Sequence, residues 1–445
     1  TLRMQDVNGF NGADIKWRKE PSTTYNTATM NDSGTAPDAI ANDGIWSGTI
    51  PGSGMTYTNI VGFYIEARDN GSPRGTNFFP GPVAGTFCTN EAYIIYGCTN
   101  GAAGVGSYGV FRWIMPQSMD KPTTQGAYWS WDRMDNMYMD VTLIYNDSRI
   151  VPKSGMRLGG SIWTRPKPGS TTFPWWATGH MPDTWREMNQ TQRFDLPKRE
   201  RICGATFFQL DHLVNPSRGR TDCGVSDPVF CVEDTAGYMA RDLGLYAARV
   251  RYMHVFGNDY HKSLIFADMQ TPQDDFIDAY FPDQTEGDTY EVKGWYECKK
   301  DLANNDNGGG GPSQLYFLKS WKHDDGSLRD EMYRLIWDKK ANGPTDTDVN
   351  SITYVADAVD QPINTSAESQ KAYLRRIDKV IDWDQWARSF AFRHCIQDWD
   401  TWGFYGRNKY MYIPKGGRAV LLEFDYDTGM GYEQSSTDSG SYVTP

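Results

Sequence analysis

Hydrophobic and polar positions follow different patterns along the chain. In residues 1–85, strand-like runs at 13–17 and 60–67 are separated by turns rich in Gly, Asp, Asn, Ser and Pro. From about residue 116, strand-like runs such as 139–145 are interspersed with stretches of helical periodicity. The pattern predicts an all-β domain over residues 1–85 and an α+β domain over residues 116–432.

A helix and a hairpin are predicted in the middle of the second domain. The run 232–243 has helical spacing, and Gly244 is placed to end the helix. The apolar positions of this helix are Ala236, Met239, Ala240 and Leu243. The run 250–266 is typical of two strands joined by a tight turn at residues 257–259.

Two further helices are predicted before residue 400. The first spans residues 366–381 and carries Leu374, Ile377 and Ile381 on one face. Asp382 then has the position of an N-cap for the second helix. This second helix carries Trp386, Phe390 and Ala391.

A second hairpin is predicted near the C-terminal end of the domain. Its strands are 409–413 and 418–424, joined around Gly416-Gly417, because two glycines tolerate the positive φ of a tight turn. That turn pairs Lys415 with Arg418, and counting outward places Asn408 opposite Asp425. Directly opposed residues have Cβ atoms about 5 Å apart, so their side chains could share a metal ion.

Two segments lack the pattern of regular structure. Residues 86–115 are predicted to be a Gly-rich connector, and residues 433–445 a Ser/Thr/Gly-rich tail. The connector contains a formal GxGxxG at residues 104–109, the motif with which kinases cover nucleotide phosphates. No VAIK-like strand with a Lys follows it, so a flexible connector is the preferred interpretation.

Composition narrows the class of protein. The chain has 445 residues, which suggests two or three domains, and no apolar run of membrane-spanning length. A net charge of −12 argues against a nucleic-acid partner, because phosphate binding needs clustered Lys and Arg. The 16 Trp residues could form carbohydrate-stacking surfaces, although buried cores also use Trp heavily.

The cysteines indicate an oxidising compartment. Among seven Cys, the pairs Cys88–Cys98 and Cys223–Cys231 are close in sequence and lie in loop-like segments, so we predict two disulfides. No CxxC pair occurs, which makes a structural zinc site improbable. The chain opens at Thr1 inside an apparent domain, so we expect it to be a piece of a longer protein.

Candidate chemistry gathers at the second hairpin. Asp400 follows the preceding helix and is expected at the same end of the hairpin as Asn408 and Asp425. Phosphoryl transfer needs Asp and Asn oxygens to hold Mg²⁺ and a further Asp for the acceptor hydroxyl. The alternative is that Asn408 closes a turn and that the acidic residues lie at a solvent-exposed edge of the hairpin without a functional role.

The order of motifs resembles that of the bacterial CotH spore-coat kinase family. A helix ends in Asp-aromatic-Asp, an Asn leads a Tyr-rich strand, and an aromatic-Asp-x-Asp precedes Gly. The runs 155–161, 193–198, 233–244 and 287–290 resemble family segments in the same order. The resemblance covers roughly residues 110–432 and implies an atypical protein-kinase-like fold whose active members use ATP and a divalent metal, Mg²⁺ or Mn²⁺, to phosphorylate protein Ser or Thr.

The resemblance also implies residue roles. Asp400 matches the catalytic acid, Asn408 and Asp425 match metal ligands, and Asp427 is an additional candidate ligand. Glu233 matches the helix Glu that orients a basic residue on the nucleotide phosphates. Arg193 falls where that basic residue, usually Lys, is expected, and Lys198 is the alternative if the alignment is displaced; Arg differs from Lys in reach and geometry.

The N-terminal domain resembles the immunoglobulin-like modules attached to CotH domains, through the segment 30–46. The resemblance therefore implies an immunoglobulin-like sandwich ahead of the kinase-like domain. Asp32, Asp38 and Asp43 could gather around a structural Ca²⁺, because hard cations need several oxygen ligands. Turn formation also accounts for Asp and Asn in this segment.

Three functional hypotheses follow. The first is a secreted or cell-surface kinase that acts on a protein substrate. The second is a catalytically silent CotH-like module with a structural or adhesive role in a surface assembly, which the Arg in place of Lys favours. The third, glycan binding through exposed Trp, depends on composition alone.

Overall fold

The computed structural model describes residues 1–56, 59–81, 91–96, 109–116, 138–158, 191–212, 231–258, 260–292, 318, 320–340, 348–398 and 410–426. These residues form a mixed α+β structure. The chain divides into two compact units. The first comprises Thr1–Gly159, Arg165–Phe207 and Tyr252–Phe266; the second comprises Gly160–Thr164, Phe208–Arg251 and Ala267–Pro445.

Strands and helices are numbered here in chain order within the described residues. The strands are β1 (Leu2–Arg3), β2 (Phe10–Lys19), β3 (Asn26–Met30), β4 (Ile45–Trp46), β5 (Asn59–Asp69), β6 (Thr76–Phe79), β7 (Ala92–Tyr96), β8 (Gly109–Ile114), β9 (Met139–Tyr145), β10 (Arg149–Leu158), β11 (Gln192–Asp195), β12 (Phe207–His212), β13 (Tyr246–Ala247), β14 (Val250–Gly257), β15 (Tyr260–Met269), β16 (Asp288–Val292), β17 (Trp337–Lys340), β18 (Tyr410–Ile413) and β19 (Val420–Glu423). The helices are α1 (Val232–Asp242), α2 (Asp274–Tyr280), α3 (Asp330–Ile336), α4 (Asn350–Val359), α5 (Ala367–Ile377) and α6 (Trp383–Cys395).

The N-terminal β structure of the first unit centres on β2 and β5. These long strands pair antiparallel, with β3 beside β2 and with β6 and β7 both beside β5. Alternate residues point inward, so Ala13 and Ile15 of β2 join Met4, Met30 and Ile65 in a buried cluster. The predicted strands at 13–17 and 60–67 are confirmed. The immunoglobulin-like identity of this part stays a prediction.

A second sheet of the first unit runs in the order β11-β10-β9-β8-β14, with β15 next to β14, and belongs to a closed barrel. β8 and β14 are parallel, and β8, β9, β10 and β11 pair antiparallel in turn. Two strands, β7 and β8, lie within the predicted Gly-rich connector. The β-forming sequences of residues 92–96 and 110–114 outweigh the Gly content between them.

The second unit contains a five-stranded sheet of order β13-β19-β18-β16-β17. Buried side chains from β16 to β19 pack with those of α3 to α6 in one core cluster, in which the largest members are Tyr290, Tyr333, Trp337 and Trp386. Ser366 and Asp382 accept hydrogen bonds from the backbone amides of Ser369 and Gln385 and cap α5 and α6. The predicted cap at Asp382 is confirmed.

The predicted register of the second hairpin is wrong by one residue. The structure pairs Tyr412 with Val420 and Tyr410 with Leu422, whereas a Lys415–Arg418 pair would have set Tyr412 opposite Leu421. The turn is closed by a Gly417 N–H bond to the Pro414 carbonyl at 2.9 Å, and Gly416 alone supplies the positive φ of 71°. The register argument for placing Asn408 opposite Asp425 is therefore lost.

Two predicted helix faces also need correction. In α1, Ala236 and Ala240 are buried, but Met239 and Leu243 are largely exposed. Leu374 of α5 is exposed as well, and that helix ends at Ile377 rather than at residue 381. Gly244 follows α1 with φ of 71°, as expected for a residue that ends a helix.

The cysteine predictions are not confirmed. Cys231 is a free, exposed cysteine immediately before α1, so the structure does not contain the predicted Cys223–Cys231 disulfide. Cys88, Cys98 and Cys223 lie outside the described residues, and the Cys88–Cys98 pairing stays a prediction. In the described part of the chain, every helix is too short or too polar to cross a membrane.

Candidate active site

Asp425 lies two residues beyond the end of β19. Its backbone is in the left-handed region with φ of 61°, a conformation that costs a non-Gly residue roughly 1 kcal/mol or more. Asp is among the residues that tolerate it best, because a short polar side chain can form local hydrogen bonds. Asp425 is partly exposed, and its backbone conformation sets the direction of its carboxylate. Contacts with surrounding residues must stabilise that conformation.

Arg393 supplies much of that support. This residue of α6 is only 2% exposed. Its Nη2 donates to the carbonyl of Phe424 at 2.8 Å, and its Nη1 donates to the carbonyl of Asp425 at 2.9 Å. The guanidinium also lies over the ring of Tyr426, 4.2 Å from the centroid. Three consecutive residues around Asp425 thus contact one side chain.

Two buried carboxylates complete the surroundings of Arg393. Its Nε donates to Glu423 Oε2 at 2.6 Å, and its Nη1 also donates to Asp398 Oδ2. Ser389, one turn earlier on α6, donates to the other oxygen of Glu423. Charge-assisted bonds of this kind are the strongest hydrogen bonds in proteins, and the guanidinium fork gives them a fixed geometry.

Glu233 holds the next peptide unit. This buried residue lies in the first turn of α1, and both of its carboxylate oxygens accept from the backbone N–H of Tyr426, at 2.8 and 3.0 Å. The backbone on either side of Asp425 is therefore fixed, by Arg393 at the carbonyls and by Glu233 at the following amide.

The electrostatics agree with this arrangement. Burial alone would lower the pKa of Arg393, but Glu423 and Asp398 raise the pKa of the guanidinium well above its ordinary value, so it stays charged. Burial, reinforced by Glu423, raises the pKa of the Tyr426 phenol well above its ordinary value. Tyr426 is therefore neutral, and its hydroxyl has no hydrogen-bond partner among the described residues.

The remaining predicted site residues fall into two groups. Asp400, Asn408 and Asp427 lie outside the described residues, so the structure brings none of them to Asp425 or away from it. Arg193 lies on β11 in the first unit, directly opposite Arg157 of β10. Two adjacent guanidinium groups on one face of a sheet repel each other unless anions lie nearby.

Sequence reasoning missed Arg393, although a signal for it existed. Gln385, Ser389 and Arg393 are spaced four residues apart on α6 and are all buried. Polar residues repeated on the helix face that also carries Trp386 indicate a satisfied polar network rather than a solvated face.

Asp425 is the one proposed Mg²⁺ ligand among the described residues. It fits a hard divalent cation, because it offers a carboxylate on a fixed backbone and Mg²⁺ is usually held by one or two carboxylates.

A separate cluster of acidic residues lies in the first unit. Carboxylate oxygens of Asp32, Asp38 and Asp43 come within 4.8 Å of one another. Carboxylate oxygens of Asp38 and Asp32 also accept from the backbone amides of Gly34 and Gly44, respectively. Calcium in this N-terminal acidic cluster stays a prediction from the sequence.

Comparison with known protein families gives a match to the second half of the chain. Residues 224–444 match a family model described as CotH kinase protein, a span that includes Glu233, Arg393 and Asp425. No curated protein matches the chain. The match covers neither the N-terminal β structure nor the part of the predicted resemblance before residue 224. Through residues 224–444, the chain belongs to the CotH kinase family.

Proposed function

We propose that the chain is a secreted or cell-surface kinase that transfers a phosphoryl group from ATP to Ser or Thr of a protein, with Mg²⁺ or Mn²⁺. The observation that carries the proposal is Asp425, a carboxylate on a strained backbone fixed by Arg393 and Glu233 within a CotH-family domain. Strained backbone held by its surroundings is concentrated at functional sites.

Each residue has a distinct role in the proposal. A divalent cation, when bound, neutralises charge on the nucleotide phosphates. Asp425 would be a ligand of that cation, with Asn408 and Asp427 as further ligands by family resemblance. Asp400 would orient the acceptor hydroxyl and receive its proton. The assignment of Arg193 to the phosphates also depends on the resemblance.

Labelled ATP tests the proposal directly. The protein is incubated with labelled ATP and Mg²⁺ or Mn²⁺, and phosphosites are located by mass spectrometry. Asp425→Asn should abolish labelling and metal-dependent nucleotide binding, whereas Asp400→Ala should retain binding and lose transfer. Asp283→Asn, at an exposed position, is the matched control. Nucleotide binding that survives Asp425→Asn unchanged would place the nucleotide elsewhere.

The second candidate is a catalytically silent CotH module that serves as a structural or adhesive part of a surface assembly. Arg193, in place of the family Lys, favours it. Thermal melting discriminates the two candidates, because a ligand that binds only the folded state raises the melting temperature. A wild-type protein whose melting temperature does not respond to millimolar ATP with either metal would support the silent module.

A further inference from the structure

Arg393 joins three segments of the second unit at one point. It belongs to α6, it binds Asp398 just beyond the end of that helix, and it binds the backbone carbonyls of Phe424 and Asp425 beyond β19. Asp398 precedes Asp400 by two residues. The same guanidinium therefore holds two segments. One leads to Asp400, which is proposed to orient the acceptor hydroxyl, and the other carries Asp425, the proposed metal ligand.

The geometry of these bonds is restrictive. One Arg side chain donates to two carboxylates and two carbonyls, and its N–H groups lie in one plane with fixed directions. A Lys ammonium at the same place has three donors and a different reach, so it cannot satisfy all four acceptors. The relative position of Asp398 and Asp425 thus depends on Arg specifically.

Stability is a weak explanation for this cluster. Buried ion pairs often add nothing to stability compared with apolar residues of similar volume, because desolvation of the charges offsets their attraction. Arg393 and Asp398 are 2% and 0% exposed, so this cost applies fully. What the cluster provides is a defined backbone conformation at Asp425, whose left-handed φ an apolar side chain at position 393 could not hold.

We propose that Arg393 is a positioning residue for the metal–nucleotide site, which sets the direction of the Asp425 carboxylate and links it to the segment of Asp398. The inference rests on the proposed function, because it concerns the same site. Arg393 acts through Asp425 and contacts neither metal nor nucleotide. Its contribution should therefore appear in the metal-dependent part of nucleotide binding.

The test compares Arg393→Lys with Arg388→Lys, a matched control on the exposed face of α6. ATP affinity is measured for the folded proteins with Mn²⁺ and with EDTA, and bound Mn²⁺ is followed by electron paramagnetic resonance. Arg393→Lys should weaken Mn²⁺-dependent binding by about 10–100-fold, the usual effect of losing a group that orients a metal ligand. Metal-free binding should stay unchanged, and Arg388→Lys should match the wild type.

A milder variant covers the case in which Arg393→Lys does not fold. Asp398→Asn keeps the shape of the side chain but weakens its bond to Arg393, and it should weaken Mn²⁺-dependent binding in the same direction, by about 10-fold at most, the lower end of the range for losing an orienting group.

The outcomes separate the two proposals. Wild-type protein that binds Mn²⁺–ATP, with affinities and resonance spectra unchanged in Arg393→Lys and Asp398→Asn, would overturn the positioning role alone. A wild-type protein without Mn²⁺-dependent binding would overturn the proposed function and the positioning role together. Equal weakening with Mn²⁺ and with EDTA would indicate a purely structural role and also overturn the inference.

Discussion

Replacing Gln385 with Met should destabilise the second unit measurably. Gln385 is a buried residue of α6 whose side-chain amide donates to the carbonyl of Leu421 at 2.9 Å and accepts from its N–H at 3.0 Å. The side chain thus behaves as a short extra strand beside β19. Met has a similar length and shape but cannot form either bond.

The magnitude follows from the groups left unsatisfied. Leu421 is buried, so its carbonyl and its N–H would each lose a partner at a cost of about 1–3 kcal/mol. Apolar burial of the Met side chain would offset at most about 2 kcal/mol of the combined loss. The combined loss of about 2–6 kcal/mol, less an offset of about 2 kcal/mol, leaves an expected net decrease centred on about 2 kcal/mol in the free energy of unfolding.

Thermal and urea unfolding measure this decrease. For a unit of this size, each kcal/mol should lower the melting temperature by roughly 2–4 °C. Gln370→Met, at an exposed position of α5, is the matched control and should change stability by less than about 0.5 kcal/mol. A Gln385→Met protein at least as stable as the wild type would refute the role assigned to the amide.

Three further predictions concern other buried or acidic groups. Tyr426→Phe should leave stability unchanged or raise it by up to about 1 kcal/mol in thermal melts, because it removes a buried hydroxyl without a partner among the described residues; a clear loss would mean that the hydroxyl is bonded. Burial raises the pKa of Asp268 despite the opposing effect of Arg251, so its contribution to stability is present at acid pH and lost as pH rises through the folded-state pKa. The melting temperature should therefore fall less with rising pH in Asp268→Asn than in the wild type, and an equal fall in both proteins would contradict the assignment. Ca²⁺ should raise the melting temperature of the wild type but not of Asp38→Asn if the N-terminal acidic cluster binds it; an equal response of both proteins would exclude the cluster.

Local signals in the sequence predicted the elements better than their pairing. The sequence predicts the cap at Asp382 correctly, because capping depends only on neighbours in the chain and Asp382 directly precedes a helical run. The predicted register of the second hairpin is wrong because the turn is closed between the Pro414 carbonyl and the Gly417 N–H, so Gly416-Gly417 does not form the two central positions of the turn. Register is sensitive to a single residue, and no local signal reported the shift.

The candidate site was predicted only in part for the same reason. A short motif identifies Asp425. Arg393 and Glu233 hydrogen-bond to the backbone at and next to Asp425, but they lie far from it in the sequence, so the motif does not contain them. The structure also shows Glu233 bound to the backbone amide of Tyr426, a contact that no sequence motif indicates; its predicted role in orienting a basic side chain stays a prediction. Spacing in the sequence indicates which side chains share a helix face, and only the fold shows what that face meets.

The bond between Glu233 and the amide of Tyr426 has a consequence for biosynthesis, because it joins residues 193 positions apart. β13 likewise pairs with β19, the last strand described in the chain. During translation, α1 and β13 leave the ribosome long before their partners exist, at a rate of about 5–20 residues per second. The apolar face of α1, with Ala236 and Ala240, must wait for the segment around Tyr426 before its core cluster can close. Sequence-distant pairing of this kind slows folding, so we expect α1 and β13 to reach their native packing only after the segment around Tyr426 has been synthesised.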